Sequence, residues 1–387
     1  MKKMPIILAI LATVGLLAGG GAGYMMKKPP QEEAKAEESA PKQELQTDAF
    51  SLLLFKQALK ENKGNVLVAP HLLSQALSAL QEIAAGKTKQ ELQALGLSHV
   101  STPRNAEPVK ATLLAMDYNL PRGEAASSVM PLPFSDKVPM ALSLFNGMLA
   151  PATGMPDAQL ADSKMVTNRT KLLAGCAAFC KKDWAIPFHP ANSRMADFDS
   201  AGGGMPHFRQ MRSRGAYSTA KAEDGSWRAV ALPFKAEGIT GPSLVYIAIL
   251  PAGDARQFAT SLSADQLNNI RKALAETPAE DTLVEIPRME LTVLPYDLRD
   301  SLRRMGLKAL FDTETADFSP LTPEKVHLAA LVQSFSVSLV ESASAAPADD
   351  SLDYAKNLIS LNRPYIWLIA DLATSTPVEF FGLVEDM

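Results

Sequence analysis

Hydrophobic and polar positions divide this chain into three regimes. Residues Met4 to Met26 carry no charge and are bracketed by Lys2, Lys3 and by Lys27, Lys28. A run of ~20 apolar residues is long enough to cross a bilayer as a helix, and this one also has the basic start and apolar middle of a secretory signal. Pro29 to Gln46 is rich in Glu, Lys, Ala and Pro and reads as a solvated tether. From Asp48 the pattern is that of a folded domain. The expected organisation is therefore 1–28 signal peptide or membrane anchor, 29–47 flexible linker and 48–387 folded domain. The Gly19 to Gly23 cluster offers a cleavage region without a clean Ala-x-Ala pattern, and no cysteine stands there to accept a lipid. Cleaved signal and retained anchor both fit, and either exports the domain.

Within the domain, Asp48 is placed to cap a helix with Phe50, Leu53, Leu54 and Leu59 on one side. A short β piece, Asn65 to Pro70, precedes a strongly amphipathic helix in which Leu72, Leu73, Ala76, Leu77 and Leu80 recur at helical spacing. Gly86 opens another short helix that stops at Gly96. The stretch from Ser101 to about Met140 has poor periodicity and yields no elements. Strand-like runs follow at Ala141–Leu149, Ala229–Phe234, Leu244–Leu250, Thr282–Pro287 and Val332–Val340. Helices are expected at Ser263–Glu276, with Ser263 as cap, and at Tyr296–Met305. Tyr365–Ala370 and Val378–Val384 read as a hairpin of buried strands. Helices first, mixed strands after, and no βαβ rhythm make this an α+β chain.

Composition narrows the function. Hydrophobic residues make up 47% and charged residues 21%, and the formal net charge is -4. With no Lys/Arg block to track phosphates, nucleic acid is not an expected partner. Cys176 and Cys180 cannot build a disulfide framework. On an extended strand they would stand roughly 13 Å apart, too far to bridge; on a helix they would approach. The five histidines, His71, His99, His189, His207 and His327, show no metal spacing. There is no Gly-x-Ser-x-Gly elbow. Gly202 to Gly204 lack the strand-then-helix setting of a phosphate loop and read as a flexible turn. No catalytic constellation, metal or cofactor is expected, so the chain is not read as an enzyme.

Several separated segments, in order from Asp48 to Met387, carry a family resemblance. Asn65 to Pro70, the Leu-rich helix and Gly86 to Gly96 come first. The segment Phe179 to Phe188 around Trp184 follows, then Met205 to Tyr217 with Met211 and Gly215, Trp227, Ala231 to Phe234 and Ile249 to Pro251. Ile286 to Leu291, Tyr296 to Leu298, Met305 to Leu307 and Phe311 to Ser319 are more specific. Leu361 to Ile369 and Phe380 to Val384 close the series, with Tyr365 where the family prefers phenylalanine. Each piece is a short pattern, and their co-linearity is what counts. The chain is identified as a divergent, envelope-located bacterial member of the serpin family, with a degenerate hinge and shutter. It would be extracellular or periplasmic, held at the inner membrane by residues 4–26 if the anchor is retained.

The resemblance implies helices packed on mixed β-sheets and an exposed reactive-centre loop. It implies inhibition of serine proteases, with cysteine proteases as a further class, by a monomer whose cut loop inserts into a sheet as an extra strand. Glu341 would stand at the loop base, with Ala343, Ser344, Ala345 and Ala346 as an insertable hinge. Pro347 breaks that pattern because it lacks a ladder donor. Asp349 and Asp350 would put adjacent carboxylates on opposite faces of an inserted strand, one of them facing the core. The loop is also a few residues shorter than in inhibitory relatives. Counting back from Asn362 puts the attacked bond near Asp353–Tyr354; counting forward from Glu341 puts it near Asn357–Leu358. Lys356, between them, would suit a trypsin-like protease or be a solvated lysine with no role. By the same resemblance Trp184 marks the breach. The shutter positions fall at Ala69, Cys176 and Gln333, so the polar gate reads as emptied, and Ala150–Lys171 is too short for the helix that covers the sheet. The alternative is a non-inhibitory binding or scaffold protein that has lost loop insertion.

Overall fold

The computed structural model describes residues 47–97, 109–236, 244–342, 352–372 and 377–387. These lie in one unit, Glu44–Met387. Residues 4–26 fall outside the described residues, and no described helix is long and apolar enough to cross a membrane.

In chain order the elements are α1 (Thr47–Glu61), β1 (Val66–Val68), α2 (Pro70–Ile83), α3 (Gly86–Gln93), β2 (Val109–Asp117), β3 (Met130–Leu132) and α4 (Val138–Leu149). Then come β4 (Leu172–Lys181), β5 (Arg194–Asp197), β6 (His207–Lys221), β7 (Trp227–Pro233) and β8 (Leu244–Pro251). Helices α5 (Ala255–Ser261) and α6 (Ala264–Glu276) precede β9 (Glu280–Pro287), β10 (Met289–Asp297), α7 (Arg299–Arg304) and β11 (Leu328–Leu339). The chain finishes with β12 (Asn357–Ser360), β13 (Tyr365–Asp371) and β14 (Phe380–Val384).

Local signals explain most of these boundaries. α2 starts on Pro70, whose missing N–H costs nothing in a first turn. It buries Leu72, Leu73, Ala76, Leu77 and Leu80. α6 is closed at its start by a reciprocal capping box between Ser263 and Gln266. α1 begins at Thr47, so Asp48 lies inside the helix rather than capping it. It buries Leu52 and Phe55 with Phe50, Leu54 and Leu59, and turns Leu53 to solvent.

Two sheets organise the domain. Nine strands make the larger, in the order β1-β14-β13-β8-β7-β6-β9-β12 with β5 also on β6. Five make the smaller, in the order β10-β11-β4-β2-β3. The main core lies between the sheets and under α1 and α2. A second cluster lies on the other face of the smaller sheet, where Phe145 and Leu149 of α4 meet Leu173 and Ala177 of β4. β4 is therefore buried on both faces, as its unbroken apolar run requires.

Three expectations change here. Ala141–Leu149 is not a strand but most of α4: its apolar run resembles a buried strand, yet the residues it buries, Ala141, Phe145 and Leu149, recur every four positions. The helix expected at Tyr296–Met305 is shortened to Arg299–Arg304, because Tyr296 and Asp297 still pair with Gln333 and Val332. The stretch that yielded no elements contains β2 and β3.

Candidate functional site

In the smaller sheet β11 is antiparallel to β10 but parallel to β4, with Leu331 opposite Ala174 and Ser338 opposite Lys181. Parallel neighbours pair slightly less stably per residue than antiparallel ones. A segment turning back directly after β11 would run antiparallel to both strands. For the chain leaving β11, this seam is where its next residues can be received with ladders on both sides.

The chain is gripped as it leaves β11. Trp184 Nε1 donates to the Val340 carbonyl at 3.0 Å, and the Ser342 amide donates to the Phe188 carbonyl at 2.9 Å. The indole is fixed by stacking on Phe234, with centroids 4.7 Å apart, and edge-on by Phe188. Between these anchors Glu341 accepts hydrogen bonds from Arg209 Nε and Ser193 Oγ and pairs with Arg288 Nε at 3.2 Å. Burial raises the Glu341 pKa, but the Arg209 and Ser193 bonds outweigh it and hold the carboxyl below its ordinary value.

Ala343, Ser344, Ala345, Ala346 and Pro347 lie outside the described residues, as do Asp349 and Asp350. Beyond them the chain forms a 3-10 turn at Leu352–Tyr354 and then β12, parallel to β9 at an edge of the larger sheet. The Tyr354 side chain is 79% exposed, Lys356 is exposed, and the Asp353 side chain lies outside the described residues. Asn357 is committed to the ladder opposite Thr282, and its Nδ2 donates to Glu280 Oε2 at 3.0 Å.

At mid-seam Gln333 and Cys176, the residues expected at the shutter, meet. Gln333 stands opposite Cys176, and its Nε2 donates to the Cys176 sulfur at 3.5 Å. The Tyr296 hydroxyl donates to Gln333 Oε1 at 2.9 Å. The gate is thus not emptied: a Tyr–Gln–Cys chain spans β10, β11 and β4. Burial pushes the Cys176 thiol up to about 12, partly offset by Gln333, and raises the Tyr296 phenol as well. Cys176 and Cys180 form no disulfide and are buried on one face of β4, as an extended strand requires. Ala69, also buried, precedes α2 and supplies no side-chain cap.

The covering helix is present too. It is α4, which ends just before the Ala150–Lys171 stretch begins. Gly175 lets it seat: a Cβ there would come 2.6 Å from Phe145 Cζ and 2.7 Å from Leu149 Cδ1. After α4 a 3-10 turn at Ala150–Thr153 reaches over the seam, and Ser336 Oγ of β11 donates to the Thr153 carbonyl at 2.6 Å.

Beneath β2 the structure places a buried ionic group that the sequence reading missed. Lys110 Nζ lies 2.7 and 2.8 Å from the two Glu379 oxygens, and His71 Nδ1 lies 2.8 Å from Glu379 Oε1. Burial raises the Glu379 pKa, but Lys110 and His71 outweigh it and leave the carboxyl lowered. The visible signal was a lone glutamate inside the apolar run Val378–Val384, which needed a partner. Among the described residues no group of three or more His, Cys, Asp or Glu is placed to hold a metal.

Residues 122–387 match the family model for serpin (serine protease inhibitor). The chain belongs to the serpin family. Serpin B5 of Plecturocebus moloch is 24% identical over 376 residues, covering 88% of this chain and 98% of that protein. Serine proteinase inhibitor 1 of Myxoma virus (strain Lausanne) is 24% identical over 358 residues, covering 86% and 89%. Among solved structures, uncleaved ovalbumin superposes with a TM-score of 0.77 at 16% identity, covering 89% of this chain and 99% of ovalbumin. At that identity the likeness establishes the serpin fold, with the β11–β4 seam at its centre.

Proposed function

We propose that this serpin inhibits serine endopeptidases by offering the segment after Val340 as bait and inserting it, once cut, into the seam between β11 and β4. The observation that carries this reading is the parallel β11–β4 pair, entered directly from Glu341. The protease serine oxygen bonds to the carbonyl carbon of the attacked residue, and the amine of the next residue departs. The leading part of the loop then becomes a sixth strand and carries the acylated protease with it. Residues 343–354 would span ~40 Å at ~3.3 Å each, matching the twelve residues of β11. We place the attacked bond between Asp353 and Lys356, where Tyr354 and Lys356 are exposed, because Asn357 is already held by β9. Pro347, Asp349 and Asp350 slow insertion without removing the seam. Export by residues 4–26 belongs to the same reading and is tested by cell fractionation.

The test mixes the full chain with trypsin-, subtilisin- and elastase-like proteases. A band that survives boiling in SDS, and a large rise in melting temperature after loop cleavage, are expected. A loop that is only cut, with no covalent band and no rise, would overturn the proposal; mass spectrometry of the released fragment fixes the bond.

A further inference from the structure

Protein interiors are close-packed, with few voids larger than a water molecule. Between α1, β10 and the β13–β14 pair, however, a partly open cavity of about 700 Å³ is left unfilled. Its walls are mostly apolar and come from separate elements: Leu54 and Ala58 of α1, Leu291 and Val293 of β10, and Trp367 of β13. Alternation along β10 turns Thr292 and Leu294 to solvent and leaves Leu291 and Val293 partly buried at the cavity, with Glu290 exposed at its rim. This size and lining are those of small-molecule sites, which are concave, mainly apolar and carry a few polar groups that orient the ligand. Among the described residues, Glu341, Tyr354, Lys356 and Asn357 do not line it.

The charged groups on its wall are unequal in sign. Among the described residues that line it, three are carboxylates, Glu61, Glu290 and Asp386, and one is a guanidinium, Arg288. Arg288 is itself shared between Glu290 and the loop-base Glu341. Glu61 is bonded to Arg304 and Ser301, and Asp386 accepts from Ser200. A ligand head entering here meets an acidic rim, which repels an anion and favours a cation or a neutral hydrogen-bonding group. We propose that this cavity binds a single-chain amphiphile, its tail against Leu54, Ala58, Leu291, Val293 and Trp367 and its cationic or neutral head at the Glu61, Glu290 and Asp386 rim.

Trp367 supplies the assay. The chain has three tryptophans, and the apolar segment 4–26 contains none. A bromine quenches indole fluorescence only near contact, and the Trp367→Phe variant separates quenching at the cavity from uptake by that segment. The full chain is titrated, below micelle formation, with ω-bromododecyltrimethylammonium, ω-bromododecanol and ω-bromododecanoate. Saturable quenching is expected that disappears in Trp367→Phe. It should weaken about tenfold or more in Ala58→Phe and in Val293→Phe, which fill the cavity. The cation and the alcohol should bind more tightly than the carboxylate. Circular dichroism and melting check each variant; if one fails to fold, the other decides. Absence of saturable quenching in the native chain, or quenching undiminished by a folded filling variant, overturns the proposal, and a carboxylate that binds as tightly as the cation overturns its assignment of the head group.

Discussion

If insertion opens the seam between β11 and β4, whatever spans that seam must let go first. Ser336 is such a tie, because its hydroxyl joins β11 to the turn after α4 at Thr153. α4 and that turn pack on β2, β3 and β4, so they travel with the far side of the seam. Ser336→Ala removes a bond worth about 0.5–1.5 kcal/mol net and leaves a buried carbonyl short of a donor, for a total of about 1–2 kcal/mol. That cost falls on the closed state alone if the tie is already broken in the transition state for opening. Insertion should then speed up roughly 5–30-fold. Ser334→Ala is the control. Its hydroxyl donates to Val293 of β10 at 3.0 Å, a bond between strands that stay together, so it should cost similar stability with no acceleration. The assay cuts the loop briefly, quenches the protease, and follows the fraction of chain that survives heating above the native melting point. Equal acceleration in both variants, or lost stability without acceleration in Ser336→Ala, would refute the assignment of the seam.

Three further outcomes follow from the same geometry. Lys110→Met leaves Glu379 buried without its closest cation and should cost about 3–5 kcal/mol in urea unfolding, much of it restored by adding Glu379→Gln; the depressed Glu379 carboxyl stabilises the fold above the unfolded carboxylate pKa of about 4.3 and loses that contribution as pH falls through its lower folded value. Gly175→Ala forces Phe145 and Leu149 off the sheet and should destabilise by about 1–3 kcal/mol in thermal melts. Glu341→Gln weakens the Arg209 and Arg288 pairs at the loop base by about 1 kcal/mol and should hasten insertion at neutral pH; because the folded Glu341 pKa is also lowered, the variant and the native chain should converge only as pH falls below the usual carboxylate range.

The chain discloses its fold wherever one residue pattern serves one environment. α2 shows a single buried face, Ser263 with Gln266 marks the start of α6, and the closing hairpin is apolar because β13 and β14 are buried on both sides. α4 fails that condition. It carries no charged residue and leaves Met140, Leu144 and Met148 exposed, so its polar face is missing and the run passes for a strand. At the site, the register of Gln333 against Cys176 was legible through the family pattern. The third member, Tyr296, was not, because a register shift between Val293 and Tyr296 carries β10 on to a residue that sequence spacing assigns to a helix. The Lys110–Glu379–His71 group joins positions up to 308 residues apart, a separation that no local pattern encodes.

The side-chain ties across the seam are unevenly spread along it. Of the Tyr296–Gln333–Cys176 chain, only the Gln333-to-Cys176 contact crosses between β11 and β4, and sulfur at 3.5 Å is a weak acceptor. At the middle of the seam the side chains therefore add little to the backbone ladder that holds it. Stronger ties lie on its loop-base side: the Ser336–Thr153 bond from the covering turn, and at the loop base Glu341 held by Arg209, Arg288 and Ser193 with Trp184 on Val340. Lys110, on the strand beyond β4, is pinned through Glu379 to β14 and α2. A seam weak at its centre and tied toward Glu341 parts at that end only when those ties are released. Cleavage of the loop frees the segment attached to Glu341, so the breach is the end from which insertion starts.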